Sequence, residues 1–440
     1  MEINLPQIKK VYFLGIGGIG VSAIARMMKS EGKDVSGRDP SNSVVIEALQ
    51  KEGIEIMIGP NSSVVPKGTE LVVYTRALEV ADAHILEEVK AQNIPILSYP
   101  QVLKIISENK FTIAISGMHG KTTTTSMCSH VFSGLKLDPT TIVGSIMKDT
   151  GSNYLHGDSE YFIVEADEYR RSFLNLSPKV LVITNIEEDH LDYYKDIADI
   201  KSAFRELAEK VPPTGAIICD PSNPYVRDVI EGLEAKIVDY TTYDDKVPAL
   251  LVPGKYNKSN ASCILAVVDF LGLPVHEAGV ALQSFAGTWR RFEYIGKTET
   301  GALVYDDYAH HPTEINAVLG MVEEEFPNKK EFVVFHPHLY SRTKLPFRDF
   351  VNSLSRKGIE VLLPPIYPAR EELDPTISSG MLAEEIRKSG GNAEAYSSFE
   401  EIAQYLSQKL TSEDLLLTLG AGESNNLAYK LARPQKQDNF

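Results

Sequence analysis

The sequence predicts an α/β protein of three domains, each with a parallel β-sheet flanked by helices. The chain has 440 residues, of which 43% are hydrophobic and 24% are charged, as in a globular protein with several cores. Short β-rich runs alternate with amphipathic stretches throughout, which is the pattern of strands joined by crossover helices. Three such series place the domain boundaries near residues 108 and 295.

The first series, within the first hundred residues, predicts strands at KKVYFLG, KDVSGRD, LVVYTR and IPILSYP. Helices are predicted between them at SAIARMMKSEG and VVIEALQKEG, with QVLKIISEN leading out. The second series has strands at FTIAIS, YFIVEAD and VLVITNI, and the third at GALVYDDYAHHP, EFVVFHPH, IEVLLPPIY and DLLLTLGAG. Several of these strands end in polar residues at the edge where α/β proteins bind ligands.

The first strand runs into a glycine-rich loop that begins a helix, which is the context of a diphosphate-binding fingerprint. Glycine allows the tight turn and lets backbone N–H groups at the helix N-terminus approach a diphosphate. Asp39 follows the loop at the end of the second strand, where such folds place an acidic ribose ligand. A nicotinamide dehydrogenase and a turn that only packs strand against helix both remain open. The predicted binding residues of this segment are Gly15, Gly17, Gly18, Ile19, Gly20 and Asp39.

A second glycine loop follows the strand FTIAIS and predicts a nucleoside triphosphate site. Its backbone N–H groups can cradle phosphates, Lys121 can neutralise the β/γ oxygens, and Thr122 can ligate Mg²⁺. It departs from the full Walker pattern because Ile115 stands where the first glycine belongs. The predicted ATP-binding residues of this loop are Gly117, Met118, His119, Gly120, Lys121, Thr122 and Thr123.

Acidic clusters end the next two strands of the second series. Glu165, Asp167 and Glu168 follow YFIV, and a segment rich in carboxylates and containing His190 follows VLVIT. Mg²⁺ prefers a few hard oxygen ligands and keeps several waters, so one or two of these carboxylates suffice. We therefore expect a Mg²⁺ site near Thr122 at this edge, and we expect His190, at a third strand end, to be a functional residue.

The third series carries the histidine-rich segments YDDYAHHP and FHPHLYSRT. Neighbouring side chains in an extended segment point to opposite faces, which disfavours a zinc site built from His310 and His311 together. Substrate binding by His310 and Arg342 is the favoured interpretation.

The charge balance indicates small-molecule ligands. With 44 basic and 60 acidic side chains the formal net charge is −16, which disfavours nucleic acid and anionic membrane surfaces as partners. No signal peptide or membrane span is visible, and three widely spaced cysteines fit neither a disulfide framework nor a four-cysteine metal site. We expect a cytoplasmic protein, either a monomer or a weak homodimer.

The order and spacing of the motifs resemble the Mur ligase family over nearly the whole chain. The matching segments are GIGGIGVSAIA, GMHGKTTTT, VEADEYRRSFL, TNIEEDHLDYY, FAGTWRRFEYIG, DDYAHHPTEI, PHLYSRT, IYPAREE and LGAG. The resemblance implies a Rossmann-like UDP-sugar-binding domain over 1–108 and a central P-loop ATPase-type domain over 109–294. A Rossmann-like C-terminal domain over 295–440 would bind the amino acid and close over ATP.

The implied activity is ATP-dependent ligation of L-alanine to UDP-N-acetylmuramate through an acyl phosphate, in peptidoglycan precursor synthesis. This step serves cell-wall biogenesis, and with it cell shape and division. ATP and two Mg²⁺ ions would be needed, with Mn²⁺ as a substitute, and the first glycine loop would hold the UDP group instead of NAD. The alternatives are a murein tripeptide ligase acting on the same sugar nucleotide and, from a different class, an NAD-binding dehydrogenase.

The resemblance also assigns roles to residues by position. Lys121, Glu165, His190, His310 and Arg342 would form the catalytic set, and the metal ligands would be Thr122, Glu165 and His190. Four residues outside the glycine loop would also bind ATP: Asn257, Asn260, Arg291 and Asp306. Tyr308, together with His310 and Arg342, would bind the amino acid and the muramoyl group.

Departures from the family pattern are local. Met118 replaces a usual threonine without removing a backbone donor, whereas Tyr256 replaces a common histidine beside the adenine-binding segment, and Leu339 stands where some relatives have arginine. Arg205 lies where some relatives carry a carbamylated lysine, so no modified lysine is predicted.

Overall fold

The computed structural model describes residues 3–191, 193–369 and 371–432 and contains three β-sheets. Helices flank each sheet, and the predicted α/β fold class is confirmed. The ends of the first and last predicted domains, at residues 1 and 440, lie outside the described residues. Within the described ranges no helix is both long and apolar enough to cross a membrane.

The first sheet is parallel throughout and has the strand order β3-β2-β1-β4-β5. The order reverses beside β1, and such a switch point opens a ligand crevice at the carboxyl end of the strand. Ser98 and Gln101 form a capping box, so the last helix of this region begins at Tyr99, earlier than predicted. The strands are β1 Lys10–Leu14, β2 Asp34–Asp39, β3 Glu55–Ile58, β4 Leu71–Tyr74 and β5 Ile96–Ser98. The helices are α1 Ile19–Ser30, α2 Val44–Lys51, α3 Leu78–Ala81, α4 Ala83–Lys90 and α5 Tyr99–Glu108.

The second sheet has the order β12-β11-β10-β6-β9-β7-β8 and is parallel except for the hairpin of β7 and β8. Its central strands are fully buried Val/Ile runs, as expected when helices cover both faces. The strands are β6 Phe111–Ser116, β7 Thr140–Met147, β8 Ser152–Leu155, β9 Tyr161–Glu165, β10 Val180–Ile183, β11 Ala216–Cys219 and β12 Lys236–Asp239. The helices are α6 Lys121–Gly134, α7 Ile197–Ala208, α8 Pro224–Ile230, α9 Lys255–Phe270 and α10 Val275–Leu282, with 3-10 segments Tyr169–Asn175 and Tyr240–Lys246.

The third sheet has the order β13-β14-β18-β15-β16-β17, with β13 antiparallel at one edge. The strands are β13 Glu293–Lys297, β14 Leu303–Asp307, β15 Lys330–Phe335, β16 Ile359–Leu363, β17 Ala393–Ala395 and β18 Asp414–Leu419. The helices are α11 Pro312–Glu325, α12 Tyr340–Lys344, α13 Phe347–Leu354, α14 Ser379–Lys388, α15 Phe399–Lys409 and α16 Ser424–Leu431.

The chain folds as two compact units. One comprises residues 1–251 with 258–286 and contains the first two sheets, and the other comprises residues 252–257 with 287–440 and contains the third. The first predicted domain and most of the second therefore lie within one unit, and residues 252–257 and 287–294 of the predicted second domain belong to the other.

A buried arginine joins the first two sheets. Arg26 of α1 is only 7% exposed and donates to the Glu52 carboxylate at 2.8–2.9 Å through Nε and Nη2. Its Nη1 donates to the Asn153 side chain on β8, and the Asn153 amide donates to Ser22 Oγ at 2.9 Å. Because these groups satisfy one another, α1 can pack against the β7/β8 hairpin without an unpaired charge.

Replacing Arg26 by alanine is expected to lower the Tm by roughly 5 °C or more, because Asn153 and part of Glu52 would lose their buried partner. Thermal unfolding followed by circular dichroism measures the effect. Lys90→Ala removes an exposed ion pair with Glu87 and is the control, for which a much smaller change is expected. Equal melting of both variants would show that the Arg26 network does not stabilise this packing.

Candidate active site

The loops that follow the central strands of the second sheet lie together at the carboxyl edge of that sheet. β6 pairs in parallel with both β9 and β10, so Ser116, Glu165 and Ile183 end at nearly the same level. The loops that follow these strands contain the glycine loop, the acidic cluster and the His190 segment. The topology therefore brings together the three motifs that the sequence had marked separately.

The glycine loop adopts a backbone that needs glycine at both ends. Gly117 has φ +136°, and a Cβ there would lie 2.0 Å from Thr184 Oγ1. Gly120 has φ +84°, and a Cβ there would lie 2.7 Å from Asn260 Oδ1. These contacts place Asn260, one of the predicted ATP residues, directly beside the loop.

Two residues at the end of β10 hold the loop, and sequence reasoning gave them no role. The Asn185 side chain accepts from His119 N–H at 2.9 Å and donates to the His119 carbonyl at 3.1 Å. Thr184 donates to the same carbonyl at 2.6 Å, and Met118 N–H donates to the Asn185 carbonyl at 3.3 Å. The signal available in the sequence was a Thr-Asn pair directly after an apolar strand.

Lys121, the first residue of α6, forms an ion pair with Glu168. Its Nζ lies 3.0 and 2.9 Å from the two Glu168 carboxylate oxygens and donates to the carbonyls of Gly117 and Met118 at 2.6 and 3.0 Å. Glu168 is 1% exposed, and its Oε1 lies 3.1 Å from His190 Nε2. Glu168 thus links the loop lysine to the predicted metal ligand His190, although sequence reasoning gave it no individual role.

The charges of this cluster are mutually stabilised. Burial raises the pKa of Glu168, but Lys121 and His190 outweigh burial and hold it below its usual value. Burial lowers the pKa of Lys121, yet Glu168 and Asp167 raise it on balance. Burial together with the Glu168 charge raises the pKa of Asp167 to about 6. A cationic lysine beside an ionised glutamate is the resulting state.

The geometry of Thr122 and Glu165 fits a magnesium ion. Thr122 Oγ1 donates to Glu165 Oε1 at 2.9 Å, and Gly144 N–H fixes the other carboxylate oxygen at 2.7 Å. Neighbouring ligands of an octahedral Mg²⁺ with bonds of about 2.1 Å lie about 3.0 Å apart, which matches this pair. Within the described residues no group of three or more His, Cys, Asp or Glu side chains could hold a metal ion. Mg²⁺ takes one or two protein ligands beside phosphate oxygens.

The first glycine loop lies at the carboxyl end of β1. Gly18 precedes α1 as its N-cap, and α1 begins at Ile19. Asp39 Oδ2 accepts from Gly17 N–H at 2.8 Å, so this carboxylate stabilises the loop in addition to any contact with a ribose. A Cβ at Gly20 would lie 2.6 Å from Tyr99 Cζ, which places an aromatic ring directly against the loop.

Three predicted residues of the second unit lie side by side, with Arg291 and His310 against the ring of Tyr308. The Arg291 guanidinium lies 5.3 Å from the centre of the Tyr308 ring, and the His310 ring lies 5.4 Å from it in an edge-on arrangement. His310 Nδ1 is 3.1 Å from the Tyr308 carbonyl and 3.3 Å from Glu314. Asp307, whose carboxylate accepts from Phe292 N–H and Ala309 N–H at 2.6 and 2.7 Å, fixes the segment that carries them.

Asp306, one of the predicted ATP residues, is bonded to groups of the protein itself. Its carboxylate is fully buried and accepts from Arg290 Nε at 2.8 Å and from Thr418 Oγ1 at 2.6 Å. Arg290 also donates to the carbonyls of Gly420 and Gly422 at 2.6 and 2.9 Å. Both carboxylate oxygens of Asp306 are therefore engaged within this unit. The ion pair of Arg290 and Asp306 orders the turn formed by residues 420–422. Sequence reasoning gave Arg290 no role, although Arg290 and Arg291 both lie in the matched segment FAGTWRRFEYIG.

The remaining predicted residues lie on helices. Arg342 belongs to α12. Leu339, the residue just before this helix, has a positive φ of +64°. Asn257 and Asn260 lie in the first turns of α9, and both side chains are buried. Asn257 Nδ2 donates to the Pro253 carbonyl at 2.7 Å.

The chain matches three family models in succession. These are the Mur ligase family catalytic domain over residues 10–111, the Mur ligase middle domain over 115–270 and the Mur ligase glutamate ligase domain over 290–422. Together they span most of the sequence. The first and third matches contain whole sheets, and the middle match contains the second sheet except for most of β6.

Curated relatives and solved structures match over nearly their whole lengths. The UDP-N-acetylmuramate–L-alanine ligase of Agathobacter rectalis is 39% identical, with 96% of this chain and 97% of the relative covered. That of Caldanaerobacter subterraneus subsp. tengcongensis is 38% identical, with 99% and 100% covered. Among structures, the UDP-N-acetylmuramate-alanine ligase MurC of Thermotoga maritima superposes with a TM-score of 0.79 at 26% identity, covering 96% of this chain and 98% of that one. The murein peptide ligase of Psychrobacter arcticus, at 22% identity and a TM-score of 0.69 with 96% and 98% covered, shares the fold. The chain belongs to the Mur ligase family.

Proposed function

We propose that this protein joins L-alanine to UDP-N-acetylmuramate at the expense of ATP, in peptidoglycan precursor synthesis. The observation that carries the proposal is the cluster of Lys121, Thr122, Glu165, Glu168 and His190 at one sheet edge. The specific reaction comes from the curated relatives, which are ligases of that name at 38–39% identity over nearly the full length. A dehydrogenase would leave this phosphate-binding cluster without a role.

ATP binds at the second glycine loop in this proposal. Residues 117–120, together with Thr123 of α6, surround the phosphates, and backbone N–H groups at the N-terminus of α6 donate to them, as at other helix N-termini that bind anions. The N–H groups of Met118 and His119 donate to Asn185, so these two residues shape the loop. Lys121 neutralises the transferring phosphoryl group. Asn257 and Asn260 contribute to the adenosine site, and Arg291 adds a positive charge toward ATP. Asp306 acts indirectly, since it holds Arg290 and the turn at 420–422.

Thr122 and Glu165 would hold one Mg²⁺, and His190, oriented by Glu168, would hold a second. Bound Mg²⁺, or Mn²⁺ in its place, supplies charge neutralisation at the phosphate oxygens. Gly144 N–H keeps the Glu165 carboxylate in position whether or not an ion is bound.

The sugar nucleotide binds at the first glycine loop, with its diphosphate at the N-terminus of α1. Gly15, Gly17, Gly18, Ile19 and Gly20 supply the backbone there. Asp39 shapes the loop by accepting the Gly17 N–H. In the second unit, Tyr308, His310 and Arg342 bind the amino acid and the muramoyl carboxylate.

The reaction requires an activated acid, because a carboxylate and an amine do not condense usefully in water. A lactyl carboxylate oxygen attacks the γ-phosphorus of ATP, the bond to the β,γ-bridging oxygen breaks, and an acyl phosphate and ADP form. The alanine amine then attacks the acyl carbon, loses its proton, and phosphate leaves from the tetrahedral intermediate. Lys121 offsets the negative charge in the first step, so this chain contributes chiefly by positioning and electrostatics.

The domain roles follow the same proposal. Residues 1–108 bind the UDP-sugar, residues 109–294 bind ATP, and residues 295–440 bind the amino acid. All substrates are small cytoplasmic metabolites, so we propose a cytoplasmic enzyme, monomeric or weakly dimeric, with no nucleic-acid partner.

Lys121→Ala is expected to lower L-alanine-dependent phosphate release by about 10³-fold or more, because no other group replaces its charge at the phosphates. A coupled phosphate assay with ATP, UDP-N-acetylmuramate and L-alanine measures the loss. Lys104→Ala, an exposed lysine of α5, is the control and should keep full activity. Wild-type turnover in Lys121→Ala would refute the assignment of the ATP site.

The choice of amine separates the two ligase alternatives. ADP release is expected with L-alanine and not with the tripeptide L-alanyl-γ-D-glutamyl-meso-diaminopimelate when each is offered with ATP and UDP-N-acetylmuramate. Preference for the tripeptide would identify a murein peptide ligase, and release with neither amine would count against both ligases.

Glu165→Gln is expected to raise the Mg²⁺ concentration needed for half-maximal activity by about tenfold or more, because a neutral amide is a weaker ligand than a carboxylate. Activity is titrated with MgCl₂ after removal of metal with EDTA. Glu160→Gln, an exposed glutamate just before β9, provides the matched control. An unchanged Mg²⁺ dependence in Glu165→Gln would exclude Glu165 as a ligand.

A further inference from the structure

Arg342, a predicted ligand of the amino acid, lies on a helix that is too short to be stable alone. α12 has 5 residues, and isolated helices shorter than about 12 residues are marginal in water. Its N-cap residue, Leu339, has no side-chain acceptor, so the first N–H groups of the helix have no local cap. The position of Arg342 therefore depends on contacts from outside the helix.

Glu371 supplies the missing cap from the loop that follows β16, 30 residues further along the chain. Ser341 N–H donates to Glu371 Oε2 at 3.1 Å, and Ser341 Oγ donates to Glu371 Oε1. Hydrogen bonds to an ionised carboxylate are stronger than those between neutral groups. Because Ser341 directly precedes Arg342, these two bonds fix the backbone that carries Arg342.

The same loop also fixes the segment just before α12. Tyr367 N–H donates to the Pro337 carbonyl at 2.9 Å, and Leu339 N–H donates to the Tyr367 carbonyl at 2.8 Å. The positive φ of Leu339 is a conformation that a leucine keeps only where its surroundings impose it. β15 and β16 pair in parallel, so their loops leave the sheet at the edge where α/β proteins bind ligands.

We propose that Glu371 is a positioning residue for L-alanine, which caps α12 and so holds the Arg342 guanidinium where the carboxylate of the amino acid binds. The inference rests on the proposed function, in which Arg342 belongs to that site. A guanidinium binds a carboxylate through two parallel N–H groups, so its orientation matters as much as its presence. Both Glu371 oxygens are engaged by Ser341, so Glu371 acts through the helix and not by touching the substrate.

Glu371→Ala tests the proposal, and Glu372→Ala, which removes the exposed neighbouring glutamate, is the matched control. The KM for L-alanine should rise about tenfold or more in Glu371→Ala, because a charge-assisted cap is lost, and the KM values for ATP and UDP-N-acetylmuramate should stay within about twofold. Glu372→Ala should leave all three KM values unchanged. An unchanged KM for L-alanine in Glu371→Ala, or an equal rise in all three, would overturn the proposal.

A double-mutant cycle shows whether Glu371 acts through Arg342. The value of kcat/KM for L-alanine is measured in the wild type, Glu371→Ala, Arg342→Ala and the double variant. Once Arg342 is absent its position no longer matters, so adding Glu371→Ala should then change kcat/KM by less than about twofold. If the two effects multiply instead, Glu371 has a different role and the proposal is wrong.

Hydrogen exchange tests the cap itself, independently of turnover. Peptides covering residues 339–345 should exchange faster in Glu371→Ala than in the wild type or Glu372→Ala, and equal exchange would show that Glu371 does not stabilise α12. Should Glu371→Ala not fold, Glu371→Gln, which keeps one neutral acceptor, should show a smaller rise in the KM for L-alanine, and no rise would contradict the proposal. If the wild-type protein shows no L-alanine-dependent turnover, the proposed function itself is wrong, whatever the exchange result.

Discussion

The candidate active site depends on one buried carboxylate, Glu168. A glutamate that is 1% exposed can stay ionised only if cations and donors compensate for lost solvation, and Lys121 and His190 do so here. Lys121, Glu168 and His190 follow three neighbouring strands, β6, β9 and β10. Their contacts with one another hold the three side chains in position. Under the proposed function, a chain of net charge −16 binds polyanions at a locally positive site, made by Lys121, backbone N–H groups and metal ions.

The fold was predictable where strands are long and apolar. FTIAIS and VLVI correspond to β6 and β10, whose burial on both faces gives continuous hydrophobic runs. The strands that the sequence did not reveal are mostly short or at sheet edges, such as β12, Lys236–Asp239, and β17, Ala393–Ala395. Their partial exposure leaves too little hydrophobic pattern to distinguish them from loops. The contact between Arg26 and Asn153, which links the first two sheets, joins residues 127 apart in sequence that no local pattern relates.

The site was predictable to the level of motifs, and its internal contacts were not. A glycine loop after a strand indicated phosphate binding, and carboxylates at strand ends indicated a metal, because parallel strands share an edge. Which carboxylate meets which partner depends on loop conformation, so Glu168 emerged only from the structure. For Asp306, the motif suggested contact with ATP. In the structure its carboxylate is buried, and the positive charge of Arg290 compensates for the lost solvation. The Tyr99 contact with Gly20 joins two regions that no local pattern relates.

The central claim is that the acid is activated by phosphorylation at the Lys121 loop. Its most direct test is the fate of the carboxylate oxygens when UDP-N-acetylmuramate labelled with ¹⁸O in the lactyl carboxyl group is turned over with ATP and L-alanine. The account predicts one labelled oxygen in each phosphate released, because the oxygen that attacks the γ-phosphorus leaves with it. Release of unlabelled phosphate, with the departing label found in water or in a nucleotide, would contradict it.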